Sequence, residues 1–166
     1  MTAPTWRTLP GELRTLAGML TVVQMVGYAV ALVEVTFTTH LTPSGISARY
    51  RGSDPNATEG AMQFGKSLAE MLTSTHTHLL SMSVIFALSG ACLAFCSAPP
   101  PRVRRFLVAE PFVALLVSFS AMWLMRYADP RFAWLLVASS ALMAITFYVQ
   151  SFFILRDLAR AEPDVP

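Results

Sequence analysis

Residues Leu16–Thr39 read LAGMLTVVQMVGYAVALVEVTFTT, 24 residues whose strongly polar members are Gln24 and Glu34. An α-helix rises ~1.5 Å per residue, so ~20 mostly apolar residues cross the hydrocarbon core of a bilayer. The stretch reads as a membrane span. It is longer than the ~7–15-residue apolar core of a signal peptide, and no A-x-A-like cleavage site follows it. The segment is therefore expected to stay in the protein, with Trp6 near the interface ahead of it.

Working outward, three further apolar runs follow at about 76–96, 106–125 and 132–155. Pro99-Pro100-Pro101 and Asp129-Pro130 break the chain between the last three. Across all 166 residues, 54% are hydrophobic and 13% charged, with a mean hydropathy of +0.53. Soluble domains carry about 25% charge. Here the charged residues gather in short blocks between the apolar runs, a membrane pattern. The expected fold is all-α: one integral membrane domain, an antiparallel bundle of four transmembrane helices. Ser83, Ala87, Gly90, Ala91 and Ala94 are small enough to let the second span approach its neighbours closely. The net charge of +2 and the lack of any aromatic-basic motif argue against nucleic acid as a partner.

Lys and Arg set the expected orientation. Arg7, Arg14, Arg102, Arg104, Arg105, Arg156 and Arg160 fall on one side; Arg49, Arg51, Lys66, Arg126 and Arg131 fall on the other. The Arg102–Arg105 turn is a compact basic block. The positive-inside rule then puts both termini in the cytoplasm, and Arg-over-Lys usage suggests a bacterial inner membrane. Trp123, Tyr127 and Trp134 fit an aromatic belt at the outer interface.

The outer loop, 40–75, begins with turn chemistry: Pro43-Ser44-Gly45, then Gly52-Ser53-Asp54-Pro55. Its second half, about 61–72, brings Met62, Leu68 and Met71 together with Phe64 and Leu72, and Lys66 stands four before Glu70. This half is expected to form a short amphipathic helix on the membrane surface. Asn56-Ala57-Thr58 matches a glycosylation sequon, which carries no weight in a chain that looks bacterial by its Arg-over-Lys usage. Cys92 and Cys96 share a helix face, a poor geometry for a disulfide, and read as small packing residues. No C-x-x-C-H run for covalent haem is present.

The three histidines all fall at the outer ends of the first two spans. His40 closes the first; His76 and His78 open the second. Neutral imidazole is the commonest metal ligand, and two imidazoles from facing helices can clamp a haem iron. His76 and His78 lie ~200° apart on a helix, so a shared ion requires the helix to begin after His76. Met82, four after His78, is a candidate pocket residue or axial thioether. Glu34 lies ~9 Å below His40 and should face the bundle interior, partnered by a histidine, Tyr28, Tyr148 or Gln150. Glu110, just before Pro111, reads as a helix-N-terminal acid near the basic block.

His40, His76, His78 and Met82 are thus candidate ligands for haem b. His40, His76, His78 and Glu34 are candidate ligands for copper, zinc or iron. The plainer alternative is that the histidines only cap helix ends. The layout resembles small four-helix b-type cytochromes in architecture. No Walker loop, GxGxxG, HExxH or GxSxG motif is present, so the chain is not expected to act alone as an enzyme. The first functional expectation is a subunit of an electron-transfer or other energy-transducing membrane complex, with other membrane subunits and a periplasmic protein as partners. A cofactor-free accessory subunit is the second. A small oligomeric transporter or channel using Gln24, Glu34 and Gln150 is the third.

Overall fold

The computed structural model describes residues 4–53 and 63–161. Among the described residues, five α-helices follow a short 3-10 turn at Trp6–Thr8: α1 (Gly11–Thr39), α2 (Pro43–Arg51), α3 (Leu68–Ala94), α4 (Pro101–Tyr127) and α5 (Phe132–Ala159). Four of them, α1, α3, α4 and α5, are long and apolar enough to cross a membrane. All four predicted spans are present, each longer than its apolar run. The protein is an all-α membrane bundle.

The ends of the helices follow from local chemistry. Pro101 occupies the first turn of α4, where the missing proline N–H is no loss. The Arg102–Arg105 block is therefore the first turn of a helix and not a connecting turn. Arg104 spends its guanidinium on the carbonyls of Ala94, at the end of α3, and Pro99. Ser67 caps α3 in a reciprocal capping box with Glu70. Asp129 accepts from the Arg131 amide in the tight turn between α4 and α5.

The core is layered along the bundle axis. At the face that carries the start of α1 and the end of α5, the terminal face, Trp6, Ala17, Leu93, Cys96, Leu107 and Ile154 pack together. Trp6 is buried there, with its ring 5.3 Å from that of Phe95. The middle layer centres on Phe86, Leu115, Met143 and Phe147. At the opposite face, which carries the long loop, Ile46 of α2 packs on Met125 and Ala133.

The loop does contain a short helix, but at Pro43–Arg51. Thr42 caps it through the Gly45 amide, and Pro43 begins it. The stretch expected to form that helix divides differently: residues 61–62 lie outside the described part, 63–67 are non-helical, and 68–72 are the first turns of α3. The sequon likewise lies outside the described residues. Lys66 and Glu70 do pair, at 3.2 Å, across the start of α3. A small ladder closes the base of the loop, with Gly52 bridged to Phe64, the Ser53 amide on the Gln63 carbonyl and the Lys66 amide on the Tyr50 carbonyl. Gly52 is required there: its φ is 96°, and a Cβ would come within 3.0 Å of the Gln63 carbonyl oxygen.

α1 is the least integrated span. Only 11% of its most apolar window is buried, against 44% for α4. Its first half packs well: Ala17 and Thr21 are buried, and Tyr28 stacks on Phe147 at 4.8 Å. Beyond Tyr28 it diverges. All nine residues from Ala29 to Phe37 are exposed, so no side of this stretch is covered.

Candidate functional site

His40 ends α1 in a left-handed conformation, φ 52°, and its amide closes the last turn on the Thr36 carbonyl. Its side chain is exposed. α3 begins at Leu68, eight residues before His76, so His76 and His78 sit within a continuous helix and diverge around it. Both are exposed. His78 Nδ1 lies 2.9 Å from the Ser74 carbonyl oxygen. A carbonyl can only accept, so Nδ1 carries the proton, and a neutral His78 presents a bare Nε2. Its ring lies 6.1 Å from that of Phe119. Met82 is half-buried against the middle core layer. Among the described residues, no three His, Cys, Asp or Glu side chains form a group able to hold a metal ion.

Glu34 departs from its expected place. It belongs to the uncovered half of α1 and is exposed. Each partner expected from spans one and four is engaged elsewhere. Tyr28 stacks on Phe147, the Tyr148 hydroxyl donates to the Met25 carbonyl at 3.2 Å, and Gln150 Nε2 donates to the Leu107 carbonyl at 2.6 Å. The reason is the divergence of α1, which carries Glu34 away from α5. Glu34 remains within electrostatic reach of α2: burial pushes the Tyr50 phenol up, the Arg49 charge opposes this, and the Glu34 charge adds to it.

Glu110 also departs from its expected role. It lies nine residues beyond the start of α4, is 7% exposed, and neither carboxylate oxygen has a hydrogen-bond partner. Gln150, fully buried on α5, has an unpartnered Oε1. The available sequence signal was Pro111, a helix-interior proline one position after an acid, with a glutamine in a neighbouring span. Two further polar contacts stitch the bundle without titratable groups. Ser89 donates to Gln24 Oε1 at 3.1 Å, and the Ser118 and Ser139 hydroxyls lie 2.8 Å apart. Cys92 and Cys96 are free, and Cys96 is buried in the terminal-face core.

At the loop face, α2 and the following strand of loop are latched to the end of α4. Arg51 Nη1 donates to the Met125 and Arg126 carbonyls at 2.7 and 3.3 Å. Arg126 Nε donates to the Lys66 carbonyl at 2.9 Å, and Trp123 Nε1 to Thr75 Oγ1 at 2.9 Å. Tyr127 and Trp134 are exposed beside this latch, as an interfacial aromatic belt requires.

Four apolar helices, whose polar side chains turn mostly onto backbone carbonyls, define a polytopic helical membrane protein. More particularly, the chain belongs to the Aq_1264_TM family, described as a transmembrane helical domain, whose model matches residues 40–164. That segment covers α2 through α5 and begins at the residue that caps α1. No curated protein and no solved structure matches the chain.

Proposed function

We propose that the chain is a subunit of a larger membrane assembly, docked to a partner polypeptide along the loop-side half of α1. The observation that supports this is the run Ala29–Phe37, exposed on every side with Glu34 within it. Lipid covers the apolar side chains of such a run as well as protein does. It does not cover an acid, whose charge is costly inside a membrane helix. A polar group from a partner helix removes that cost. The family match adds support, since α1 lies outside the matched segment and is also the least packed span. In this reading the membrane is a bacterial inner membrane, both termini are cytoplasmic and the loop face meets a periplasmic partner.

A photo-crosslinker in place of Val33 tests the reading in native membranes, with the same group in place of the exposed Leu142 on α5 as control. A protein adduct at Val33 and lipid adducts at Leu142 are expected. Lipid adducts at both positions would remove the reading.

A second reading has one observation in its favour, the His78 ring anchored through Nδ1 on the Ser74 carbonyl. Metal-ligating histidines are commonly held in this way. Here the subunit serves electron transfer, and His78 ligates haem b or a metal ion together with a group from the partner, Met82 lining the same helix face. His40, His76 and Glu34 are the further candidate ligands. Spectra of the gently extracted complex, oxidised and reduced, test it. A Soret band lost in His78→Ala supports ligation; a colourless, metal-free complex removes it.

A further inference from the structure

We propose that the terminal face holds an anion site that takes a phosphate group, carried by a membrane lipid or free. A pocket of about 100 Å³ opens there, lined by Thr5, Trp6, Arg7, Ser97, Asp157 and Arg160. That is room for more than one water molecule, whose share of liquid volume is about 30 Å³. Three separate stretches of chain build it: the 3-10 turn, the link between α3 and α4, and the end of α5. Hydrogen bonds fix them to one another. The Trp6 amide donates to the Phe95 carbonyl at 3.2 Å, and the Ser97 amide and hydroxyl both donate to Asp157 Oδ2.

The charges of the lining favour an anion. Asp157 is its one acid, and that carboxylate is engaged already: Oδ2 by the two Ser97 donors, with Oδ1 3.6 Å from Arg156 Nη2. Arg7 and Arg160 are exposed, and neither guanidinium has a hydrogen-bond or ion-pair partner among the described residues. Trp6 is buried, and its indole N–H meets no oxygen acceptor. The carbonyl ends of α3 and α5 lie at this face and would repel an anion, but both are closed. Arg104 donates to the Ala94 carbonyl, and the Arg160 and Ala161 amides donate to the Asp157 carbonyl. Two uncommitted guanidinium groups suit a phosphate, whose oxygens their planar forks match. The pocket also sits at the ends of membrane spans, where basic pockets between helices bind the head groups of anionic lipids. It is on the face opposite the histidines and the loop-side half of α1, so it stands or falls apart from both readings above.

The test is an NMR titration of the full-length protein, isotope-labelled at its tryptophan indoles, in a neutral detergent. Trp123→Phe and Trp134→Phe assign the signals. The probes are short-chain phosphatidylglycerol and, separately, inorganic phosphate. A saturable shift of the Trp6 signal is expected, with the signals of Trp123 and Trp134 at the loop face unmoved. A response to phosphatidylglycerol alone assigns the site to a lipid head group. A response to inorganic phosphate, with or without the lipid, assigns it to free phosphate as well; each of these results supports the site. The pair Arg7→Gln and Arg160→Gln should weaken binding by about tenfold or more, each basic residue near a membrane surface adding appreciably to the attraction. The pair Arg102→Gln and Arg105→Gln removes the same charge and should leave binding within about twofold, charges that do not line the pocket being screened by salt. Should a double variant fail to fold, the single changes carry the same comparison. Three results would overturn the proposal: no saturable shift with either probe, an equal shift with zwitterionic phosphatidylcholine, or equal weakening by the two pairs, which would leave only a diffuse basic face.

Discussion

Gln150 on α5 donates to the carbonyl of Leu107 on α4 at 2.6 Å, and that carbonyl is the one Pro111 leaves without its helical donor. In a regular α-helix the amide of residue 111 would fill it, but proline has no N–H. A side chain from the neighbouring span thus repairs the break, so α4 passes through the bilayer with a proline in its interior and the acceptor satisfied.

This relationship predicts coupling between two positions on different helices. Gln150→Leu should destabilise the bundle by about 1 kcal/mol, interhelical hydrogen bonds in membrane proteins averaging ~0.6 and reaching ~1.7. In a Pro111→Ala background the helix fills its own carbonyl, and the same Gln150→Leu change should cost much less. Unfolding in mixed detergent micelles, measured for the parent, both single variants and the double variant, gives the cycle. Additive costs would show that Gln150 is not compensating for the proline.

Arg51 predicts a second effect, at the loop face. Its guanidinium satisfies carbonyls in the last turn of α4, where a helix has no internal donors left. Arg51→Gln should lower stability by about 1–2 kcal/mol, as expected for hydrogen bonds from a charged donor. Amide exchange in the turn Ala128–Arg131 should accelerate along with it. Arg51→Lys should recover only part, because an ammonium lacks the planar fork of guanidinium. Full recovery by lysine would show that charge alone holds the latch.

Two glycines provide a contrast of sign. A Cβ on Gly45 would overlap the Thr39 carbonyl, whereas a Cβ on Gly27 meets nothing within 4 Å. Gly45→Ala should therefore push α2 off the end of α1 and cost about 1–3 kcal/mol, the range for an overpacked site. Gly27→Ala should be neutral or stabilising, by up to ~1 kcal/mol from helix propensity. Thermal melts of the two variants in one detergent decide this, and a loss at Gly27 equal to that at Gly45 would contradict the packing of both.

The four spans were legible because bilayer thickness imposes a length and a composition that few other structures share. What surrounds each helix was not legible, because rotation and tilt depend on packing against neighbours. Glu34 and Glu110 illustrate this. Both were visible as acids in or near spans, yet the one expected inside is exposed and the one expected near the helix start is buried. α2 was missed for a different reason. Pro43-Ser44-Gly45 serves a turn or a helix start equally well, and the Thr42 cap with proline in the first turn decides for the helix. The separation of His76 and His78 was a matter of where α3 begins, and the Ser67–Glu70 capping box starts it at Leu68, eight residues upstream of the expected start.

His40 offers the sharpest test of cap against ligand. Its φ of 52° places an ordinary side chain in the left-handed region, and Leu41 shares that value. For residues other than glycine the left-handed helical conformation costs roughly 1–2 kcal/mol, and glycine is the usual residue where a helix ends in this way. If His40 serves only to end α1, His40→Gly relieves the strain, and the melting temperature should rise by an amount equivalent to about 1 kcal/mol. A ligand would behave in the opposite way: removing its imidazole would lower stability and release any bound metal or haem. One melt with metal analysis of the same sample separates the two, and we expect the stabilised variant with its metal content and absorbance unchanged from the parent.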